Sequence, residues 1–345
     1  MNRWSELAGV ALPIIQAPMA GVQGSALALA AGQAGALGSL PCAMLGPDAL
    51  RGELALLQAS GRAYNVNFFC HAPTAPEPQR EAGWRTRLAP FYRELGLDPG
   101  APAPASARAP FSHEVADVVE PFRPAVVSFH FGLPAADLLA RVRGWGAKIL
   151  SSATTVDEAR WLEAHGADAI IAQGVEAGGH RGMFLSDDLS TQAGTLALLP
   201  QIVDAVKLPV IAAGGIADAR GVAAAMRLGA VAAQVGTAYL LCPEATTSAV
   251  HRAALKSAQA RHTALTNVFT GRPARGIVNR VMRELGPMCA DAPAFPLAAA
   301  ALAPLRARAE SLGSGDFSPL WSGENASGCR EIPAAELTRA LAAGL

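Results

Sequence analysis

Short apolar runs recur along the chain and alternate with longer Ala- and Leu-rich segments of helical periodicity. The runs typical of buried parallel strands occupy residues 13–20, 36–40, 64–69, 125–131, 148–154, 169–175, 209–215 and 230–238. Helical segments such as DEARWLEAHGA and DARGVAAAMRLGA lie between most of them and end in glycine, which readily closes a helix in the left-handed conformation. This repeated βα step predicts an α/β protein whose eight strands form a (β/α)8 barrel, the TIM barrel fold.

Two segments interrupt the repeat. Residues 72–120 are rich in proline and predict a partly irregular surface insertion between the third and fourth strands, where it could also cover the site. Residues 243–310 follow the eighth strand and predict a smaller cap, or substrate, subdomain. The predicted organisation is therefore a barrel over residues 1–242, this cap, and a return to the barrel over 311–345, where the amphipathic stretch IPAAELTRALAAGL predicts the closing helix.

Composition narrows the function classes. The chain has 345 residues, of which 51% are hydrophobic and 16% charged, and its formal net charge is zero, so no broad basic surface is available for nucleic acid. Pro13 and Gln16 interrupt the N-terminal apolar run, which indicates neither a signal peptide nor a membrane span. Five cysteines without metal-ligand spacing predict reduced thiols in a cytoplasmic protein and no metal site. Both a monomer and a homodimer remain open.

Glycines at the ends of the last two predicted strands indicate a phosphate site. Gly214 and Gly215 permit close approach of the backbone to a ligand, and a helix that begins near Asp218 would direct N–H groups at an anion. Gly236 and Thr237 follow the eighth strand and would add further donors. In a barrel, the loops after the seventh and eighth strands commonly form such a site. The alternative is that these glycines serve only tight turns.

Three amide side chains end otherwise apolar strands. Asn67 ends the third strand, Gln173 the sixth and Gln234 the eighth. A buried amide without a partner costs about 1–3 kcal/mol, so each one requires a hydrogen-bonding partner. The polar edge of a flavin ring would supply several. The alternative is that each amide bonds the neighbouring backbone.

His130 ends the fourth strand and lies on the face opposite its bulky apolar residues. In AVVSFHFGLP the strand alternation places Val127, Phe129 and Phe131 on one face, which we expect to meet the helices. His130 then faces the barrel interior at its upper rim, where an imidazole can exchange a proton or pair with an anion. A hydrogen-bonded core histidine is the alternative.

The stretch after the sixth strand, GVEAGGHRGMF, predicts a flexible glycine-rich loop. Gly178, Gly179 and Gly182 would carry His180 and Arg181 over the mouth of the barrel, where they suit an anionic group. His180 could equally be a surface residue.

The chain lacks the side chains that two other barrel chemistries require. Its three lysines are Lys148, Lys207 and Lys256, and none is predicted at the end of a strand, which argues against a Schiff-base lyase. Carboxylates are also sparse at strand ends, which disfavours a metal-dependent hydrolase. A cofactor must therefore carry the reaction.

Together these strings resemble class I of the nitronate monooxygenase family, also known as 2-nitropropane dioxygenases. The similar pieces are PIIQAPMAG, NVNFF, VVSFHFGLP, SSATTVDEARWLEAHGADAIIAQGVEAGGHRG, PVIAAGGIADARG and QVGTAYL. The resemblance implies an FMN flavoprotein that oxidises alkyl nitronates, such as propionate 3-nitronate, with O2 through a flavin semiquinone. The products would be a carbonyl compound and nitrite or nitrate, a detoxification reaction that needs no nicotinamide.

The resemblance also implies roles for particular residues. His130 matches the catalytic histidine, and we expect His180 to be a second contact for the small anionic substrate. The predicted cofactor-binding residues are Met19, Gly21, Asn67, Gln173, Gly178, Gly214, Gly215, Gln234, Val235, Gly236 and Thr237. The stretch from residue 72 is expected to be the clearest departure from the family and to affect substrate range.

Three other functions remain open at this stage. The first is an FMN-dependent NAD(P)H reductase of quinones or enoyl thioesters, because related barrels share the phosphate site. The second is a phosphate-binding lyase or isomerase without a flavin. The third is a flavin-binding module without catalytic activity.

Overall fold

Eight parallel strands form a closed barrel in the computed structural model, which describes residues 3–101, 108–343 and 345. They are β1 (Ile14–Gln16), β2 (Gly38–Pro41), β3 (Tyr64–Phe69), β4 (Val126–His130), β5 (Lys148–Ala153), β6 (Ala169–Gln173), β8 (Val210–Ala213) and β9 (Ala232–Val235). Strand β1 pairs with β9, with Ile15 opposite Gln234, and a bridge between Ile15 and Leu37 completes the ring beside β2. The predicted TIM barrel is confirmed, and every predicted strand is present.

Helices cover the outside of the barrel and build the cap. They are α1 (Arg3–Ala8), α2 (Ser25–Gln33), α3 (Pro47–Ala59), α4 (Pro78–Glu94), α5 (His113–Val119), α6 (Ala136–Gly144), α7 (Val156–His165), α8 (Thr195–Ala205), α9 (Ala219–Arg227), α10 (Ala249–Lys256), α11 (Arg280–Leu285), α12 (Ala298–Ser311) and α13 (Ala334–Leu341). Local sequence sets their ends: the Thr155 side chain caps the start of α7, and Gly166 ends it at φ 101°. Within the described residues no helix is both long and apolar enough to cross a membrane.

The barrel interior is filled from the N-terminal end of the strands. Ile15, Leu150 and Ile211 point inwards and pack with Trp4 of α1, which is 1% exposed. The indole N–H of Trp4 donates to the Leu12 carbonyl at 2.8 Å. Because α1 closes this end, a ligand can enter the barrel only at the carboxyl ends of the strands.

The cap combines segments that are far apart in sequence. Its core joins α4, α11 and α12 with a small antiparallel sheet of β7 (Gly179–His180), β10 (Thr263–Thr266) and β11 (Ala274–Ile277). Trp84 on α4 donates to the Ala298 carbonyl at 3.2 Å, and the Tyr92 hydroxyl donates to the Ala301 carbonyl at 2.6 Å. The stretch 72–120 is therefore not a single surface insertion: α4 is part of the cap, whereas α5 packs on α3 and α6 of the barrel.

The C-terminal segment contributes to both the cap and the barrel. Phe317 packs in the cap core and Trp321 bridges to Gly276, so the cap extends past residue 310, where the sequence predicted its end. The chain then crosses the top of the barrel and enters α13, which packs against α2 and α9. The buried hydroxyl of Tyr239 lies 2.8 Å from that of Thr338 at this junction.

Candidate active site

One cavity opens at the carboxyl ends of the barrel strands, beneath the cap. His130 and His180 line it, together with nine of the predicted cofactor-binding residues. Those nine are Met19, Asn67, Gln173, Gly178, Gly214, Gly215, Gln234, Gly236 and Thr237. The cavity therefore gathers side chains and backbone from the ends of all eight barrel strands and from the loop after β6.

Two of the predicted cofactor-binding residues lie outside this cavity. Val235 follows the alternation of β9 and points outwards, where it is 1% exposed in a core cluster with Tyr239. Gly21 adopts φ 82° in the turn after Met19 and does not line the cavity. The side chain of Val235 therefore cannot contact a ligand in the cavity, because adjacent strand residues face opposite sides.

Glycines bring the backbone close to one end of the cavity. Gly214 and Gly215 have φ values of 117° and 71°, a region that glycine alone adopts without strain. Gly323 donates its N–H to the Thr237 hydroxyl at 2.9 Å, and the Asn325 amide donates to the Gly215 carbonyl at 3.1 Å. The C-terminal segment thus completes this end of the cavity and orients the Thr237 hydroxyl.

The start of α9 differs from the prediction. The Asp218 carboxylate accepts the Gly221 N–H at 2.9 Å and so caps the helix itself. A carboxylate at this position disfavours a second anion. The cavity lining from this loop ends at Ile216, so α9 does not direct unoccupied N–H groups at the site as the sequence suggested.

The three amides at strand ends have different partners. Asn67 donates to the Ser128 hydroxyl at 2.9 Å, and Gln173 donates to the His180 carbonyl at 3.0 Å while accepting the Gly182 N–H at 2.7 Å. The Gln234 Oε1 atom is buried and has no partner among the described residues. Gln173 therefore bonds the neighbouring backbone and holds the loop that carries His180, as in the alternative given above. Gln234, in contrast, retains a hydrogen-bond acceptor for a ligand.

His130 sits at the centre of the site as a neutral imidazole. Its Nε2 lies 3.1 Å from the His180 carbonyl, which can only accept, so Nε2 carries the proton. Nδ1 then accepts from the Ser152 hydroxyl at 3.0 Å. The pKa of His130 is lowered to about 4, mainly by burial and also by the charges of Arg272 and Arg181, against the opposing effect of the bond to the carbonyl.

His180 reaches the cavity from the short strand β7. Pairing of Ala274 with His180 ties this strand to the cap, and the His180 Nε2 lies 2.9 Å from the Thr270 hydroxyl. Burial holds the pKa of His180 well below its usual value, and the charge of Arg108 adds to this effect. The predicted flexible loop is thus anchored at both its backbone and its side chain.

Arg181 does not line the cavity, although the sequence predicted that it would lie over the mouth of the barrel with His180. Its side chain is fully buried, and its guanidinium donates to the carbonyls of Gln173 and Gly174, each at 2.7 Å. A third bond joins it to the Gln192 amide oxygen at 2.9 Å. These partners use the donors that an anionic ligand would need, so Arg181 supports the turn after β6.

Aromatic rings form the roof over the two histidines. Phe131 leaves the predicted strand alternation because its φ of 69° turns the chain, and its ring lies 5.0 Å from Phe69 and 5.6 Å from Phe295 of the cap. Its ring therefore packs against Phe69, Phe295 and the two histidines and not against the outer helices. The Arg272 guanidinium lies 4.0 Å above the Phe131 ring, which places a cation behind this roof.

Several cavity residues escaped the sequence analysis. The alternation of β4 places Ser128 on the lumen face with His130, and that of β5 could have identified Ser152 in the same way. No local pattern marks the others, because each reaches the cavity only through the tertiary fold. They are Arg108, His251, Trp321, Gly323 and Asn325.

Known proteins resemble this chain in sequence and in fold. A family model described as nitronate monooxygenase matches residues 2–344. A nitronate monooxygenase from Pseudomonas aeruginosa is 42% identical over 99% of this chain and 98% of its own length. The structure of nitroalkane oxidase from Streptomyces ansochromogenes superposes with a TM-score of 0.89 at 39% identity, covering 99% of this chain and 97% of that one. FabK from Thermotoga maritima superposes at 0.70 with 25% identity, covering 99% and 94%.

The stretch from residue 72 stays a predicted departure from the family. The alignment with the Pseudomonas protein spans 99% of this chain and 98% of its own length. In the structure, helix α4 of this stretch packs against α12 in the cap core.

Proposed function

Because the chain belongs to the nitronate monooxygenase family, we propose that it binds FMN in this cavity and uses O2 to oxidise alkyl nitronates such as propionate 3-nitronate. The products are a carbonyl compound and nitrite or nitrate. The observation that carries the proposal is the division of the cavity into two unlike ends. Glycine backbone forms one end, and two neutral histidines beneath an aromatic roof form the other.

The residues of the cavity fit FMN. The turns at Gly215 and Gly236 and the Thr237 hydroxyl would hold the phosphate, since small residues leave backbone groups accessible there. The orphaned Oε1 of Gln234 would accept a hydrogen bond from the ring N–H of the flavin. Bound in this way, FMN would supply an acceptor for electrons from the nitronate and a partner for O2.

The histidines suit a substrate that arrives already deprotonated. A nitronate needs no base, whereas a neutral nitroalkane must first lose a proton. His130 is a weak base because its pKa is about 4 and its Nδ1 already accepts from Ser152. We therefore propose that His130 and His180 bind and orient the nitronate group and that nitronates are preferred over nitroalkanes.

An anion beside His130 would change its protonation. A neighbouring negative charge raises the pKa of an imidazole, and the protonated ring has two N–H donors instead of one. The second donor would then be Nδ1, once the Ser152 hydroxyl rotates to accept from it. Ser152 can thus form a hydrogen bond with the His130 ring both when the ring is neutral and when an anionic substrate causes it to be protonated.

One assay tests this function. Purified holoenzyme under air should consume O2 when propionate 3-nitronate is added, and NADH should not be required. His130→Ala should lower kcat/KM by about 100-fold, whereas Ser152→Ala should cost about tenfold because it removes one hydrogen bond to the ring. Wild-type activity in His130→Ala would refute the role of His130, and no O2 consumption by the wild type would refute the function.

A reductase is the second candidate, because the glycine-lined end of the cavity would hold FMN equally well in an NAD(P)H-dependent enzyme. Anaerobic mixing with NADH distinguishes the two functions. An NAD(P)H reductase of quinones or enoyl thioesters would bleach the flavin within seconds. The proposed oxidase would remain yellow under NADH and would bleach only with a nitronate.

A further inference from the structure

We propose that Arg275, through its ion pair with Glu324, holds residues 322–327 over the glycine end of the cavity and so determines how slowly FMN dissociates. We call residues 322–327 the strap. Arg275 does not line the cavity, so it is a positioning residue and not a contact of the cofactor. This inference rests on the FMN binding of the proposed function and takes no part in the oxidation itself.

The strap contacts two of the residues that would hold the phosphate. The Gly323 N–H donates to the Thr237 hydroxyl at 2.9 Å, and the Asn325 amide donates to the Gly215 carbonyl at 3.1 Å. A hydroxyl that accepts from an N–H keeps its own proton for a second partner, so Thr237 can still donate to a phosphate. Gly323 and Asn325 both line the cavity, and displacement of the strap would therefore break both bonds and open this end to water.

The strap also lies directly against the loop after β6. The Glu324 N–H donates to the Glu176 carbonyl at 3.0 Å. A Cβ on Gly178 would lie 2.5 Å from the Gly323 nitrogen, and a Cβ on Gly323 would lie 2.7 Å from the Glu176 carbonyl oxygen. Only glycine permits so close an approach on both sides. The strap and this loop therefore form one continuous wall at the glycine end of the cavity.

Arg275 joins the two sides of this wall. Its Nε donates to the Val175 carbonyl in the loop after β6 at 2.8 Å, and its Nη2 lies 3.0 Å from the Glu324 carboxylate in the strap. Its backbone pairs with Gly179, and its carbonyl accepts the Ser322 N–H at 3.3 Å. One residue thus binds the loop and the strap with both its backbone and its side chain.

The ion pair is the part of this attachment that depends on charge. Among the described residues, Glu324 is the one carboxylate within ion-pair distance of Arg275, and the Glu176 carboxylate is bound by the N–H and the hydroxyl of Thr195. The Arg275 side chain is 8% exposed, whereas that of Glu324 is 48% exposed. A nearly buried guanidinium favours the strap position that supplies its carboxylate, and salt can screen the exposed side of the pair. The attachment of the strap should therefore weaken as ionic strength rises.

A bond from the same guanidinium to the cap supplies the matched control. The Arg275 Nη1 donates to the Thr263 hydroxyl on β10 at 3.0 Å. Thr263→Val removes this bond, keeps the shape of the side chain and leaves the strap untouched. Glu324→Gln removes the charge in the strap and keeps the length of the side chain. The two variants separate the action of Arg275 on the strap from its action on the cap.

The experiment measures the rate constant of FMN release from purified holoenzyme, followed by the rise in FMN fluorescence after dilution. At low salt, Glu324→Gln should raise this rate constant about fivefold, and Glu324→Asp, which keeps the charge, should raise it less. Thr263→Val should stay within about twofold of the wild type. Added NaCl should speed release from the wild type more than from Glu324→Gln, because the variant has no ion pair left to screen.

Equal release rates in Glu324→Gln and the wild type, or the same acceleration in Thr263→Val, would overturn the role of Arg275. An identical salt dependence in the wild type and Glu324→Gln would do so too, because a purely structural role of Glu324 would leave that dependence unchanged. The measurement needs no turnover. A holoenzyme that retains FMN but consumes no O2 with nitronates would refute the oxidase function alone, and a chain that binds no FMN would refute both.

Discussion

Gln173 forms hydrogen bonds with the protein, whereas the Gln234 Oε1 has no partner among the described residues. Substitution of each by methionine should therefore change the stability of the apoprotein differently. Methionine has nearly the length of glutamine but cannot form its hydrogen bonds. In Gln234→Met the buried Oε1 that lacks a partner is removed, and an unsatisfied buried acceptor costs about 1–3 kcal/mol. We expect the apoprotein to keep its stability or gain up to about 1 kcal/mol, since only part of the Gln234 side chain is buried.

Gln173→Met should do the reverse. It removes one bond to the His180 carbonyl and leaves the Gly182 N–H without its acceptor. The expected loss is about 2–3 kcal/mol in the free energy of unfolding of the apoprotein. Its effect on FMN should follow from the displaced loop and not from a lost contact to the ring.

The affinity for FMN should depend on a direct contact at Gln234, the position where substitution should not lower stability. Loss of one hydrogen bond to FMN is worth about 1.4 kcal/mol, so Gln234→Met should raise the Kd of FMN about tenfold. Urea unfolding of the apoproteins gives the stabilities, and quenching of FMN fluorescence gives Kd. If Gln234→Met lost as much stability as Gln173→Met and bound FMN as tightly as the wild type, the assignment of Gln234 to the flavin would be wrong.

Three further predictions concern the support of the site. Gly178→Ala would place a Cβ 2.5 Å from the Gly323 nitrogen, so FMN retention and thermal stability should fall. In the control Gly52→Ala, in α3, the added Cβ meets nothing within 4 Å, and the free energy of thermal unfolding should rise by about 0.5–1 kcal/mol. Arg181→Met should cost at least about 3 kcal/mol in urea unfolding, because two carbonyls lose charge-assisted bonds; an unchanged midpoint would contradict this. The free energy of unfolding should be constant above pH 6.5 and should fall towards pH 4, because the histidines of the unfolded chain take up protons at a higher pH than the buried ones. Each histidine whose pKa burial lowers to about 4 should contribute at most about 3 kcal/mol to this fall. A profile without this fall would show that these rings are not buried as neutral groups. Those histidines are His71, His130 and His251.

The barrel could be predicted from the sequence because its signals are local. Apolar runs, helical periodicity and glycines at element ends act within a few residues, and they located all eight strands and the glycine turns at Gly214, Gly215 and Gly236. The alternation of β4 also placed His130 on the lumen side. The same reasoning failed at Phe131, where a single left-handed residue ends the alternation.

The remainder of the site depends on contacts between distant segments. Two glutamines at equivalent strand ends look alike in sequence, yet Gln173 meets the loop of His180 whereas the Gln234 oxygen meets no protein group among the described residues. Trp84 joins the cap through a carbonyl that lies 214 positions away, and Asn325 reaches Gly215 across 110. A local pattern reports which conformation a segment favours, but the partner of a polar side chain is determined by which distant segment packs against it.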